Sequence, residues 1–386
     1  MPRVLHLKTV AELLAAAPAW DDLWQRSDCT SPLARAKPIA DWLDHFAPSS
    51  RFQALVIADE DRWLFALPLM ERRMAGVLRA GVLPCNAWPS GATLLWDAAA
   101  TNDPDVSDAV STAVVELPWS FVFLEAAMPA RASWQAFYRA VHAANMPCDL
   151  RTRWQAGRLA FDGEWADAFH FLSRKHRQRV VASLRKLKAQ GKVRFKLHAE
   201  LSVDEVEPLL RRAWATEDRG WKGADGTSVL RTPGAAEFML SQARDLAAEG
   251  RLRLALLDCG PRNVAFSYGV LGKGVYHSFK IGYDPAFASF SPGHLLQYHL
   301  LEGLYGDPQV AGADFIGELT EYHASWRPQT YPLARLAFAR RGRSPGRMAL
   351  WAFQCMRGPS EQIPPLASPM PDTEEPQRGR DICKTS

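Results

Sequence analysis

The chemistry-bearing part of this 386-residue chain centres on residues 275–305, VYHSFKIGYDPAFASFSPGHLLQYHLLEGLY. It reads as a strand, a short loop and a helix opening on Ser291-Pro292-Gly293. Ser291 suits an N-cap, and Pro292 suits the first helical position, where its missing N–H costs nothing. Gly293 lets a ligand come close to the backbone. The first turn of such a helix presents unpaired N–H groups and the positive end of the helix dipole, a seat for phosphate.

Three other sets of residues have chemical potential. Glu217 ends a helix and is followed by a Gly-rich loop (Gly220, Gly223, Gly226) that carries Trp221 and Lys222. Loops on a rigid scaffold hold binding groups disproportionately. Lys280 lies inside a strand where a half-buried lysine needs an anionic partner, such as Glu217, Asp284 or a phosphate. His277, three positions before it, is expected on the opposite face. The run Ser173–Lys196 carries ten Lys or Arg and no acid. Val180, Leu184 and Leu187 give it one buried face, and basic residues, Arg177 and Arg185 among them, surround the other as a patch for anions.

The elements that must position these groups are α/β in pattern. In the first half, Val10–Ala17, Trp20–Gln25, Ile39–Phe46, Val106–Val115 and Trp134–Ala144 read as helices. Phe52–Ala58, Trp63–Pro68, Ser120–Leu124 and Arg158–Phe161 read as strands. In the second half, one helix is expected over Trp165–Gln190 and another over Val206–Ala215. Strands follow at Leu252–Leu257, Val264–Leu271, Val275–Ile281 and Ala313–Gly317. The order in the two halves is loosely parallel, without a residue-level repeat. A junction near Asp162-Gly163 divides the chain into 1–162, a scaffold unit, and 163–350, the unit with the chemistry. Residues 351–386, rich in Pro, Ser and charge, read as a disordered tail.

Composition is that of a globular protein, with 47% hydrophobic and 23% charged residues and a net charge of +4. Six scattered cysteines form no CxxC and no Cys–His cluster, which fits a reducing compartment and no metal. No signal peptide and no apolar run approaching the roughly 20 residues of a membrane span is evident. A cytoplasmic location without stable membrane insertion is expected. No Gly-x-Ser-x-Gly elbow, Walker loop or His-Glu-x-x-His competes.

The ordered set Glu217, Trp221-Lys222-Gly223, Asp284-Pro285, Ser291-Pro292-Gly293-His294, Asp314-Phe315-Ile316-Gly317, Trp326 and Tyr331-Pro332-Leu333 resembles the GNAT-superfamily acetyltransferase family that includes CelD-type cellulose-biosynthesis proteins. It is similar, more distantly, to Fem-type aminoacyltransferases. Two features depart from the family pattern. Ser291-Pro292-Gly293 stands where many relatives have a Gly-x-Gly loop, and Tyr322-His323 where many have Tyr-Lys. The resemblance implies two tandem GNAT-like units, each a mixed, twisted sheet flanked by helices. It implies N-acyl transfer from acyl-CoA to an amine on a small molecule or glycan, in polysaccharide or cell-envelope biosynthesis. Ser291, Pro292, Gly293 and His294 would then hold the donor's pyrophosphate. Trp221, Lys222, Lys280, Arg177 and Arg185 would bind substrate or anion. Glu217 or Glu318 would be the base, with Tyr322 as an acid. The alternatives are an aminoacyl-tRNA donor tracked by the basic helix, and a non-catalytic binding protein of GNAT shape.

Overall fold

The computed structural model describes residues 2–86, 88, 91–342 and 344–357. The first half runs β1 (Arg3–Leu7), α1 (Val10–Ala15), α2 (Ala17–Arg26), α3 (Ala36–Phe46), β2 (Phe52–Asp59), β3 (Arg62–Met74), β4 (Leu78–Val82), β5 (Leu95–Trp96), α4 (Pro104–Val115), β6 (Phe121–Ala127), α5 (Ala132–Ala143) and β7 (Cys148–Ala160). The second runs α6 (Trp165–Phe171), α7 (Arg174–Lys188), β8 (Val193–His198), α8 (Val203–Asp218), α9 (Trp221–Ala224), α10 (Ala235–Ala248), β9 (Leu252–Cys259), β10 (Arg262–Gly272), β11 (Val275–Tyr283), α11 (Pro292–Tyr305), β12 (Gly312–Asp314), α12 (Glu321–Ala324), β13 (Gln329–Ala339) and α13 (Pro345–Arg357).

Among the described residues thirteen strands form one mixed sheet, ordered β1-β2-β3-β4-β6-β13-β7-β12-β11-β10-β9-β8 with β5 beside β3. The two halves repeat one topology. Each begins with four antiparallel strands and continues through a helix to a parallel fifth, β4 to β6 by way of α4 and β11 to β12 by way of α11. The last strand of each half then crosses over: β7 pairs with β12, and β13 pairs with β6. The two crossed strands pair with each other over ten residue pairs, from Gln329↔Arg158 to Phe338↔Cys148. The junction expected near Asp162 falls between β7 and α6, yet the exchange makes one sheet of both units.

The alternation of apolar residues explains three cores. One layer, built on Trp20, Trp42, Leu210, Trp214 and Phe238, runs beneath both halves on the face of α2, α3, α8 and α10. On the opposite face α4 and α5 cover the first half, and α7 and α11 cover the second.

Three expectations change. The single helix over 165–190 is two helices, because Leu172 leaves helical geometry at ψ 157° and Ser173 caps α7 through its side chain on His176 N–H. Helix α13 covers the first seven residues of the expected tail, and 358–386 lie outside the described residues. His277 and Lys280 share a face rather than opposing one another. Opposite them the register slips between Tyr268 and Gly269, so Tyr268 pairs with Lys280, Gly269 with Ser278 and Val270 with His277. Phe279 is the extra residue of a β-bulge, which resets the alternation.

Candidate active site

Strand β11 forms the wall between two openings. The larger, about 620 Å³, is lined by Arg179, Glu217, Trp221, Lys222, His294 and Tyr322, with the Ser291–Gly293 turn as its floor. The second, about 340 Å³, lies where β11 and β12 separate after only three paired residues. Lys280, Trp88, Phe315, Gly317 and His323 line it.

The start of α11 differs from the simple cap the sequence suggests. Ser291 is the N-cap, but at φ +50° and ψ +52° its hydroxyl makes no capping bond. Pro292 has no N–H, and the first intrahelical bond begins at Leu295 N–H, on Ser291 O. Gly293 and His294 therefore have N–H groups with no intrahelical acceptor, and both residues line the cleft. A Cβ on Gly293 would meet only Tyr322 Cε2, at 3.8 Å, so open space lies above this backbone. His294 is pulled down to about 4 by burial and then by the neighbouring Arg179 and His176. It is neutral at physiological pH, and its Nδ1 is buried without a partner.

Tyr322 is half-buried, and desolvation raises its phenol well above the ordinary tyrosine value. Its OH donates to Gly293 O at 3.0 Å and to Gln297 Oε1 at 3.3 Å, fixing the α12 loop on the first turn of α11. The loop before α11 is anchored by Asp284, whose carboxylate takes Arg219 Nε and Arg262 Nε at 2.7 Å each.

Glu217 joins the two openings. Its Oε1 accepts from Lys222 Nζ and Lys280 Nζ, each at 2.9 Å, and its Oε2 from Val229 N–H at 3.1 Å. Burial pulls Lys280 below the ordinary lysine value, against the pull of Glu217. The loop that delivers Lys222 needs glycine at 223, where a Cβ would lie 1.8 Å from Asp218 O. Trp221 stands 66% exposed at the mouth of the larger cleft. Glu217→Gln should lower the unfolding free energy by about 3 kcal/mol, the scale of removing one partner from a buried ion pair. Urea unfolding would check it, and an unchanged midpoint would count against this placement.

The remaining predicted residues lie elsewhere. Glu318 is exposed next to Gly317, at the rim of the second opening. Arg177 and Arg185 sit on the outer surface of α7 rather than in either opening. Among the described residues none of the ten basic side chains of 173–196 forms an ion pair, although ion pairs are common elsewhere on the surface. Two residues that sequence reasoning missed also line the openings. Arg179 was hidden in the basic run, where nothing distinguished it. Trp88 comes from the irregular loop of the other half, and its ring faces Lys280 Nζ at 4.7 Å.

Among the described residues no group of three His, Cys, Asp or Glu side chains could hold a metal, and no helix is long and apolar enough to cross a membrane. A comparison with curated proteins gives no match. Three of the solved structures that share the fold are as follows. FemX is 8% identical, with 92% of this chain and 99% of that chain covered at a TM-score of 0.57. A conserved protein of unknown function from Bacteroides thetaiotaomicron VPI-5482 is 11% identical, with 88% and 100% covered at 0.53. The C-terminal domain of a putative lysylphosphatidylglycerol synthetase from Agrobacterium fabrum is 12% identical, with 90% and 96% covered at 0.52. Residues 174–324, the span that supplies β11, α11 and both walls of the larger cleft, match the acetyltransferase (GNAT) domain family.

Proposed function

We propose that this protein is an N-acyltransferase that moves an acyl group from acyl-CoA to an amine. One juxtaposition carries the reading. The open first turn of α11 and the Arg179 guanidinium border the same cleft, and only β11 separates that cleft from a second opening. A pyrophosphate on the Gly293 and His294 N–H groups gains dipole and charge together. The corresponding helix of the first half, α4, has Asp103 as its cap and Asp105 in its first turn, which repel an anion. A single donor site, in the second half, follows.

In the reaction the amine nitrogen attacks the thioester carbonyl carbon, the C–S bond breaks, and the proton lost by the amine ends on the CoA sulfur. Holding both reactants against β11 supplies much of the rate. Glu217 has both oxygens engaged and acts by fixing Lys222 and Lys280. Glu318, at the rim of the second opening, is the better base, because only its backbone is hydrogen-bonded, to His323, and its carboxylate is free among the described residues. Its Gln variant should lose about 10²–10⁴-fold in kcat with donor affinity unchanged. A near-wild-type kcat would remove Glu318 from the mechanism. Calorimetry with acetyl-CoA and longer acyl-CoAs tests the donor directly, and absence of binding by all of them would defeat the reading. The likeness of the motif set to CelD-type proteins supports an acceptor from polysaccharide or cell-envelope synthesis.

A second reading, transfer from an aminoacyl-tRNA, is favoured by the unpaired basic face of α7. The geometry separates the two. Arg177, Arg185 and Lys188 point away from the cleft, whereas Arg179 lines it. Reversing the first three to Glu should weaken any binding of tRNA and cut its salt slope by about three, at roughly one per phosphate contact. The same variant should keep acetyl-CoA affinity, and Arg179→Glu should lose it. Equal losses of CoA in both variants would contradict the division of the helix into two faces.

A further inference from the structure

Two lysines share one carboxylate at the wall between the openings. Side-chain exposure is 2% for Glu217, 11% for Lys280 and 26% for Lys222, so a sheltered group carries a net charge of +1. Apart from Glu318, which is exposed to water at the rim, the nearby carboxylates are committed elsewhere. Asp314 takes Tyr331 OH at 2.7 and 2.9 Å and Ile316 N–H at 2.8 Å. Asp218 is held by Ser228 and Arg231, and Asp284 by Arg219 and Arg262. An unmatched ammonium removed from water is expensive, and a site that receives an anion offsets that cost.

The smaller opening is built to receive that anion. Lys280 lines it and has two N–H donors left after Glu217. Asn86 Oδ1 is taken by Trp42 Nε1 and Trp88 N–H, which leaves its amide NH2 as a donor at the same wall. Ser278 and His323 add neutral polar groups, and burial keeps His323 below the ordinary histidine value. Trp88 and Phe315 supply apolar walls. The far side carries stored strain, for Ile316, a β-branched residue, stands at φ +60°. The Asp314 carboxylate holds it there through its N–H.

We propose that the 340 Å³ opening takes an acceptor amine that itself carries an anionic group, a carboxylate or a phosphate, and that Lys280 selects it. Calling the ligand an acceptor rests on the acyltransferase reading, whereas the anion site does not. The amine end lies toward Glu318 at the rim and the anion toward Lys280.

The test is donor-free calorimetry with two matched pairs, L-phenylalanine against L-phenylalaninamide and glucosamine 6-phosphate against glucosamine. The anionic member of one pair should bind about tenfold tighter, the scale of one charge-assisted hydrogen bond, and that pair names the group as carboxylate or phosphate. The preference should vanish in Lys280→Met. It should shrink in Lys222→Met, which leaves one lysine per carboxylate and carries the test if Lys280→Met does not fold. Equal binding within both pairs, no binding by any of the four, or a preference that survives both variants overturns the proposal. Acetyl-CoA titrated into the same preparations keeps the two readings apart. If wild type shows the preference but does not bind acetyl-CoA, the anion site stands and the acyl-CoA reading falls. If Lys280→Met loses acetyl-CoA affinity and keeps the preference, Lys280 belongs to the donor cleft and the proposal falls.

Discussion

A chain ending at Pro328, without β13, is expected to lose cooperative unfolding altogether rather than fold as a shortened protein. Strand β13 lies between β6 and β7 and is the link through which the two halves share one sheet. Its removal exposes two internal edges and strips Leu333, Leu336 and Phe338 from buried positions. At about 1.5–3 kcal/mol for each such side chain the loss approaches the whole stability of a domain. Urea unfolding followed by near-ultraviolet circular dichroism would read the effect. A peptide of residues 329–357 added in trans should restore part of the transition. A truncated chain with a sharp, native-like transition would show that the exchange of strands is not what joins the halves.

Gly293→Val is expected to weaken acyl-CoA binding by about 1–3 kcal/mol, the scale of losing hydrogen bonds to a charged group. The fold should tolerate the change. A Cβ here meets only the Tyr322 ring, at ordinary contact distance, and residue 293 is in the first turn of α11. The added methyls project over the N–H groups of Gly293 and His294, where the phosphate would sit. Calorimetry with acetyl-CoA, beside thermal unfolding of the same preparation, measures both halves of the statement. Wild-type affinity in a folded Gly293→Val protein would remove the start of α11 as the donor site. Reduced affinity with an unchanged melting temperature would tie the phosphate to this turn.

The sequence by itself determined what depends on nearest neighbours. Proline and glycine after Ser291 mark the start of α11, and residues 293 and 294, as first-turn positions, have N–H groups without an intrahelical acceptor. The spacing of Val180, Leu184 and Leu187 gave α7 its buried side, and strand alternation gave most of the sheet. The unease of a lysine in a buried strand was also legible, and Glu217 was among its named partners. Tertiary structure decided the rest. A single bulge at Phe279 moved Lys280 to the face of His277, and a one-residue slip has no local signature when both neighbours are apolar or polar in turn. Arg179 differs from Arg177 and Arg185 only by its angle around the helix axis, which acquires meaning once α11 packs alongside. Trp88 reaches Lys280 from nearly two hundred residues away because β7 and β13 exchange places, and contacts between halves follow from packing that no local pattern encodes. The division of labour is physical. Backbone geometry and periodic burial act over a few residues, whereas the partners of a charge are set by which surfaces the whole chain brings together.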